Sequence, residues 1–250
     1  MRIFVQISYN GTAYSGWQIQ ENANSIQQEI EYSFSKIFNS SVQIAGSSRT
    51  DTGVHARGQF AHTDIPEVDD LQKLQFKLNS LLPPDISIDR VYRVRNEGHS
   101  RFDAISRSYE YKIAHRKDPF LTDLVYFYSR KLDVEKMNEA AKVLIARKDF
   151  QSFSKVKTDV NNYVCEISDA YWDYRESILT FFITSNRFLR GMVRAITGTL
   201  IEVGLNKLSV QEFSDIIEAK DRRKAGRAVP ACGLFLTEVK YPEGYFERSS

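Results

Sequence analysis

The chain has 250 residues, 42% apolar, 12% aromatic and 26% charged, which is enough apolar surface for a packed core and excludes a disordered chain, a collagen and a coiled-coil rod. Its 34 basic and 32 acidic residues nearly cancel, at a net charge of +2. Two cysteines, Cys165 and Cys232, exclude a disulfide framework and a Cys-rich zinc site. The opening MRIFVQISYNG has no basic segment followed by an apolar stretch of signal length, and no run approaches the ~20 apolar residues of a membrane span. A cytoplasmic protein without a membrane segment is therefore expected.

In chain order, Arg2 to Tyr9 alternates Ile3, Val5 and Ile7 against Arg2, Gln6 and Ser8, and reads as a strand. Asn10–Gly11 and Ser15–Gly16 mark a loop. Ser25 is placed to cap a helix in which Ile26, Ile30, Phe34, Ile37 and Phe38 recur at helical spacing. Val42 to Ala45 reads as a short strand, Gly46 to Arg57 as a polar loop, and Gly58 to Thr63 as a strand. A helix over Asp69 to Leu82 ends at Pro83–Pro84, and Ile86 to Val94 is a strand. The second half repeats the order: strand 106–115, a helix capped by Asp133 and running to about Arg147, strands 164–174 and 179–185, helices 188–203 and 209–219, and a closing strand 234–241. Both halves read β-α-β-β-α-β. The expected fold is α+β, two ferredoxin-like (RRM-like) halves with mainly antiparallel sheets, divided at the junction Gly98 to Ile105 into 1–103 and 104–250.

Charge is uneven along the chain. Arg90 to Lys117 holds eight basic residues and three acids, and Lys220 to Arg227 holds five basic residues and Asp221. Such patches suit a polyanion, although a solvated surface has the same composition. The common nucleotide and hydrolase motifs are absent. Gly11 to Gly16 has P-loop spacing, but Trp17 stands where the lysine must be. The histidines His55, His62, His99 and His115 show no ligand spacing, so no metal is expected, and no Gly-x-Gly-x-x-Gly follows a strand, so no nucleotide or nicotinamide cofactor is expected.

Three features remain. The loop Gly46 to Ala56 is dense in polar groups and contains Arg49 and Asp51. Asp-x-Gly is common turn chemistry, and a lone carboxylate beside an arginine also suits a nucleophile or an electrostatic stabiliser. In the helix read over Phe188 to Val203, Leu189, Val193, Ile196 and Leu200 share one face, with Arg187, Arg190 and Arg194 opposite. That is either a solvated basic side or the lining of a phosphate-binding cleft. In the strand Arg107 to Lys112, Arg107, Tyr109 and Tyr111 share a face. A tyrosine there is either half-buried core or a stacking platform for a base.

The block Arg49-Thr50-Asp51-Thr52-Gly53-Val54-His55-Ala56 resembles the signature of the TruA family of tRNA pseudouridine synthases. Four further segments resemble that family in the same order: Tyr9 to Gln18, Arg107 to Tyr111, Phe188 to Arg194 and Pro230 to Leu234. The departures are Ser47 and Ser48 where small residues are usual, Gly191 where a histidine is often found, and Val229 where an alanine is.

The resemblance implies isomerisation of uridine to pseudouridine in the anticodon stem-loop of tRNA, at positions 38, 39 and 40. It implies a homodimer, no metal and no cofactor, with an RNA-binding catalytic cleft between the two halves. Carried over residue by residue, Asp51 is the catalytic carboxylate, and addition to the ring, attack on C1′ and abstraction of a sugar proton all stay open for it. Arg194 pairs with that carboxylate, Tyr109 stacks on the flipped uracil, and Arg49 contacts the RNA. A base must leave the helix to be acted on, which requires a flat apolar neighbour for it. Two other classes are weighed. A non-catalytic RNA-binding protein with paired RRM-like sheets has no need of a carboxylate facing phosphate. A glycosidase-like hydrolase needs two carboxylates about 5–9 Å apart, and the loop offers one.

Overall fold

The alternating start of the chain forms β1 (Arg2–Tyr9) in the computed structural model, which describes residues 1–156 and 160–246. Phe4 is buried along with Ile3, Val5 and Ile7. Both faces of β1 are covered, so simple alternation understates its burial. The other elements follow as α1 (Ile26–Phe38), β2 (Ala45–Gly46), β3 (His55–Asp64), α2 (Leu71–Leu81), β4 (Ile86–Arg93), β5 (Ser106–Ala114), β6 (Tyr126–Phe127), α3 (Val134–Ile145), β7 (Ile167–Arg175), β8 (Ile178–Ser185), α4 (Met192–Gly204), α5 (Val210–Glu218) and β9 (Leu234–Lys240). The described residues thus form an α+β chain with five α-helices. Apart from the short parallel β5–β6 pair, the strand pairs with a described register are antiparallel.

Local chemistry accounts for the helix ends. Ser25 Oγ accepts from Gln28 N, and Asp70 Oδ1 accepts from Lys73 N at 2.8 Å. Asp133 Oδ1 accepts from Lys136 N, and Ser209 forms a capping box with Glu212.

Two compact units are distinguished: Met1–Ile105 with Leu236–Ser250, and Ser106–Phe235. In the first, β3 and β4 flank β1, β2 pairs with β3 through Ala45↔His62 and Gly46↔Ala61, and β9 also lies beside β3. Ile26, Ile30 and Phe34 of α1 and Leu78 of α2 are fully buried in the core of this unit. Tyr241, Tyr245 and Phe246 pack around Phe4 with ring centroids 5.5, 5.6 and 6.0 Å away. In the second unit β8 lies between β5 and β7. Helix α3 is stitched to β7 where the Asn138 side chain receives from Trp172 N and donates to Trp172 O.

Several boundaries differ from the sequence reading, those of β3 and α4 for a clear physical reason. β3 begins at His55, inside the segment read as loop, because Ala56 pairs with Tyr9 and the His55 ring Nδ1 accepts the Gly11 N–H at 3.1 Å. A polar composition there hides a buried strand end. The short strand before it is Ala45–Gly46 rather than Val42 to Ala45. Helix α4 begins at Met192 rather than Phe188, because Gly191 sits at φ 71°, ψ 4°, a left-handed conformation that cannot continue a helix. The two-residue strand β6 carries no periodicity and is not legible in sequence.

One buried histidine makes stability depend on pH. His62 lies 4.5 Å from the His99 ring, and its Nδ1 accepts from the Ser100 N–H at 3.2 Å. Burial, reinforced by the charges of His99 and Arg2, pulls it down to about 4. The unfolded chain takes up this proton near pH 6.5 and the folded chain only near 4, so stability is lost as pH falls between those values. Urea unfolding at pH 4.5 is expected to show a contribution from this site on the order of 2 kcal/mol smaller than at pH 7. His62→Gln should flatten that slope; an equal slope in the variant would exclude His62 as its source.

Candidate active site

In the first unit, the segment from Ser47 to Val54 connects β2 to β3, and its path is set by two neighbours. Ser47 Oγ donates to Gln59 Oε1 at 2.6 Å, and Gln59 Nε2 donates to the Ser48 carbonyl at 2.7 Å. Gln59 is fully buried in β3, so this amide anchors the loop entrance to the sheet. The segment following β1 holds the far side. Trp17 N donates to Thr50 O at 3.1 Å, Gly53 N donates to Tyr14 O at 3.3 Å, and the Tyr9 hydroxyl meets Thr50 Oγ1 at 2.8 Å. Gly16 adopts φ 97°, and a Cβ there would lie 2.5 Å from Thr50 O. Only glycine lets the two backbones approach so closely.

Asp51 is therefore presented by a braced turn. Its carbonyl accepts from Val54 N at 3.1 Å, and its side chain is half-buried, while the neighbouring Arg49 is exposed. The turn reading of Asp-x-Gly is correct for the backbone, with Gly53 at φ 75°. It describes the same loop that offers the carboxylate.

In the second unit, β5 buries one face, Arg107, Tyr109, Tyr111 and Ile113, as its alternation indicates. Tyr109 is 8% exposed and meets Phe188 edge-on at 5.2 Å between centroids. Tyr111 is fully buried and donates its hydroxyl to Pro230 O at 2.8 Å; burial raises its pKa, with Cys232 and Tyr126 adding to the rise and Arg194 opposing it. Buried Arg107 donates from Nη1 to Asn186 O at 3.0 Å.

The amphipathic reading of the α4 region needs correction. Of the 13 residues of α4, only Arg194 and Glu202 are partly exposed, so the helix is apolar nearly all round and its basic face reduces to Arg194. Arg187 and Arg190 lie before the helix, in the loop that Gly191 terminates. Arg194 is held in place: Nε donates to Val229 O at 2.8 Å, and its own carbonyl accepts from Val229 N at 3.2 Å. Val229, one of the departures from the family pattern, thus binds Arg194 through its backbone, which a change of side chain leaves intact. Gly191, another departure, has nothing within 4 Å of where a Cβ would project. Elsewhere in this unit Ser154, Lys155, Tyr163, Lys220, Asp221 and Arg222 are among the residues lining an open polar cleft of about 230 Å³.

A model of the tRNA pseudouridine synthase family matches residues 6–103 and 140–242. The chain belongs to the tRNA pseudouridine synthase family. Members of this family are isomerases, and so is this chain. It is 49% identical to the tRNA pseudouridine synthase A of Parabacteroides distasonis over 98% of both chains. It is 48% identical to that of Porphyromonas gingivalis, over 98% of this chain and 99% of the other. It is 38% identical to that of Bacillus subtilis, over 96% and 99%. The segments matched by this pseudouridine synthase model include Arg49, Asp51 and Arg194, and Tyr109 lies between them. Among the described residues no three His, Cys, Asp or Glu side chains are grouped to hold a metal ion, and no helix is long and apolar enough to cross a membrane.

The positions that sequence reasoning passed over are those holding the loop: Tyr9, Gly16, Trp17 and Gln59. For Tyr9, Gly16 and Trp17 the signal was present in the Tyr9 to Gln18 segment, which carried a family resemblance but no assigned chemistry; Gln59, inside β3, carried none.

Proposed function

We propose that this chain converts uridine to pseudouridine in the anticodon stem-loop of tRNA, at positions 38, 39 and 40, with Asp51 as the catalytic carboxylate. The observation that carries the assignment is the braced turn around Asp51, in a chain whose relatives are named tRNA pseudouridine synthase A. A reacting group held by packing and hydrogen bonds on both flanks loses little order at the moment of reaction.

The reaction breaks the C1′–N1 bond of uridine, turns the uracil, forms C1′–C5, and moves the C5 proton away while N1 gains one. Asp51 acts at the ring, at C1′ or on a sugar proton, and each of these requires its carboxylate unprotonated. Arg194 pairs with the carboxylate, Tyr109 stacks on the extruded uracil, and Arg49 contacts the RNA. Exposure of Arg49 and the anchored side chain of Arg194 support those roles. The first unit's strand order, with β1 between β4 and β3 and with β2 on β3, supports a ferredoxin-like reading of that half. The enzyme acts in this reading as a cytoplasmic homodimer, which sedimentation equilibrium tests.

The decisive experiment incubates the protein with unmodified tRNA and maps pseudouridine by carbodiimide-dependent reverse-transcription stops. Stops at 38 to 40 with no change in RNA mass are expected. Release of free uracil would indicate a hydrolase, and tight binding without stops a non-catalytic RNA-binding protein.

Binding should be strongly salt-dependent. Basic residues of Arg90 to Lys117, with Arg187 and Arg190, would displace condensed counterions, each phosphate contact adding nearly one unit to the log–log slope. Arg190→Ala is expected to reduce the slope of log Kd against log salt by about one. Affinity that is flat between 50 and 200 mM salt, conditions taken from the same relation, would contradict the assignment.

A further inference from the structure

We infer that the Tyr9 hydroxyl and Thr50 form a positioning pair that sets the aim of Asp51. The inference rests on the catalytic reading of Asp51 and assigns work to the Tyr9 segment. Tyr9 is the last residue of β1, 5% exposed, with its ring beside Trp17 at 6.2 Å between centroids. Its hydroxyl reaches Thr50 Oγ1 at 2.8 Å, and Thr50 is buried. The contact joins the residue next to Asp51 to the central strand of the first unit.

The surrounding backbone bonds define what this contact adds. Trp17 N–Thr50 O and Gly53 N–Tyr14 O fix the main chain on either side of Asp51. Those bonds hold the level of the turn. The Tyr9–Thr50 contact acts on a side chain, so it restrains Thr50, the residue before Asp51, at a second point besides its carbonyl. Gln59 grips Ser47 and Ser48, which precede Thr50 in the loop, and so secures only the entrance. A hydroxyl pair is suited to the task because it is directional and, away from water, costs free energy when one partner is missing. Its removal leaves the fold nearly intact, because the ring of Tyr9 and the packing around Trp17 remain.

Tyr9 is therefore a positioning residue. The test compares Tyr9→Phe, Thr50→Val, Thr50→Ser and the double variant Tyr9→Phe/Thr50→Val with the unaltered protein. The readouts are the single-turnover rate at saturating enzyme, the enzyme concentration giving half that rate, and Tm. Tyr9→Phe and Thr50→Val are each expected to lower the saturating rate about tenfold with half-saturation within about twofold. Thr50→Ser, which keeps Oγ1, should restore the rate. The double variant should be no slower than the worse single variant, because both changes remove the same contact. A full saturating rate in Tyr9→Phe, a loss confined to half-saturation, failure of Thr50→Ser to recover, or multiplicative losses in the double variant would each overturn the inference. Asp51→Asn in the same assay separates the two levels. Turnover by that variant would remove the reading on which the pair depends. Its inactivity beside a fully active Tyr9→Phe would leave Asp51 catalytic and remove the positioning role alone.

Discussion

Asp51→Asn is expected to lower the single-turnover rate by ~10⁴-fold or more while tRNA affinity stays within about threefold. Asparagine preserves the size and planarity of the side chain. The main-chain bond from Val54 N to the Asp51 carbonyl and the bonds from Trp17 to Thr50 and from Gly53 to Tyr14 involve no carboxylate oxygen. The turn therefore survives the change, and Tm should be close to that of the unaltered protein. What is lost is the charge, which every one of the three possible actions of Asp51 needs. In the proposed reading, phosphate contacts dominate affinity and come from basic residues elsewhere, so rate and binding should part company. Carbodiimide mapping of single-turnover time courses measures the rate, and filter binding measures the affinity. Turnover within about tenfold of the unaltered enzyme would sink the assignment of Asp51.

Tyr109 is the second position at which a large effect is expected, and the structure sharpens the comparison. It is nearly buried on the inner face of β5 and meets Phe188 edge-on, so a purely structural role has to be tested alongside stacking and proton transfer. Tyr109→Phe retains the ring and its contact with Phe188. If the hydroxyl assists loss of the C5 proton, the rate should fall about 10²-fold with binding retained and Tm close to unchanged. Tyr109→Leu removes the ring. Stacking on a base is worth about 1–3 kcal/mol, so the rate should fall a further 5- to 150-fold or thereabouts, on protein verified as folded. The structural role alone forecasts something different: Leu lowers Tm through loss of the edge-to-face packing and spares activity per folded molecule. A well-folded, fully active Leu variant would take Tyr109 out of the site.

Much of this was legible in the chain before any coordinates. Alternation placed β1 and β5, and Ser25 and Asp133 announced their helices, because strand alternation and side-chain capping act over a few residues. The loop with Arg49 and Asp51 stood out for the same reason: its polar density and its family resemblance are properties of consecutive residues. The buried face of Arg107, Tyr109 and Tyr111 also follows from local alternation.

The tertiary structure decided what depends on partners remote in sequence. His55 looks like loop and is strand, because Gly11, 44 positions away, donates to its ring. The residues from Phe188 to Val203 look like one amphipathic helix. Gly191 breaks that helix with a left-handed turn, and packing buries nearly all of α4, leaving Arg194 tied to Val229, 35 positions on. That residues 236–246 join the first unit, with Tyr241, Tyr245 and Phe246 closing over Phe4, has no local signal at all. Residue types and short periods specify which groups are available for chemistry. The aim of those groups comes from hydrogen bonds and close approaches between distant segments, such as Tyr9 to Thr50 and Gly16 to Thr50, which form only once the chain has folded back on itself.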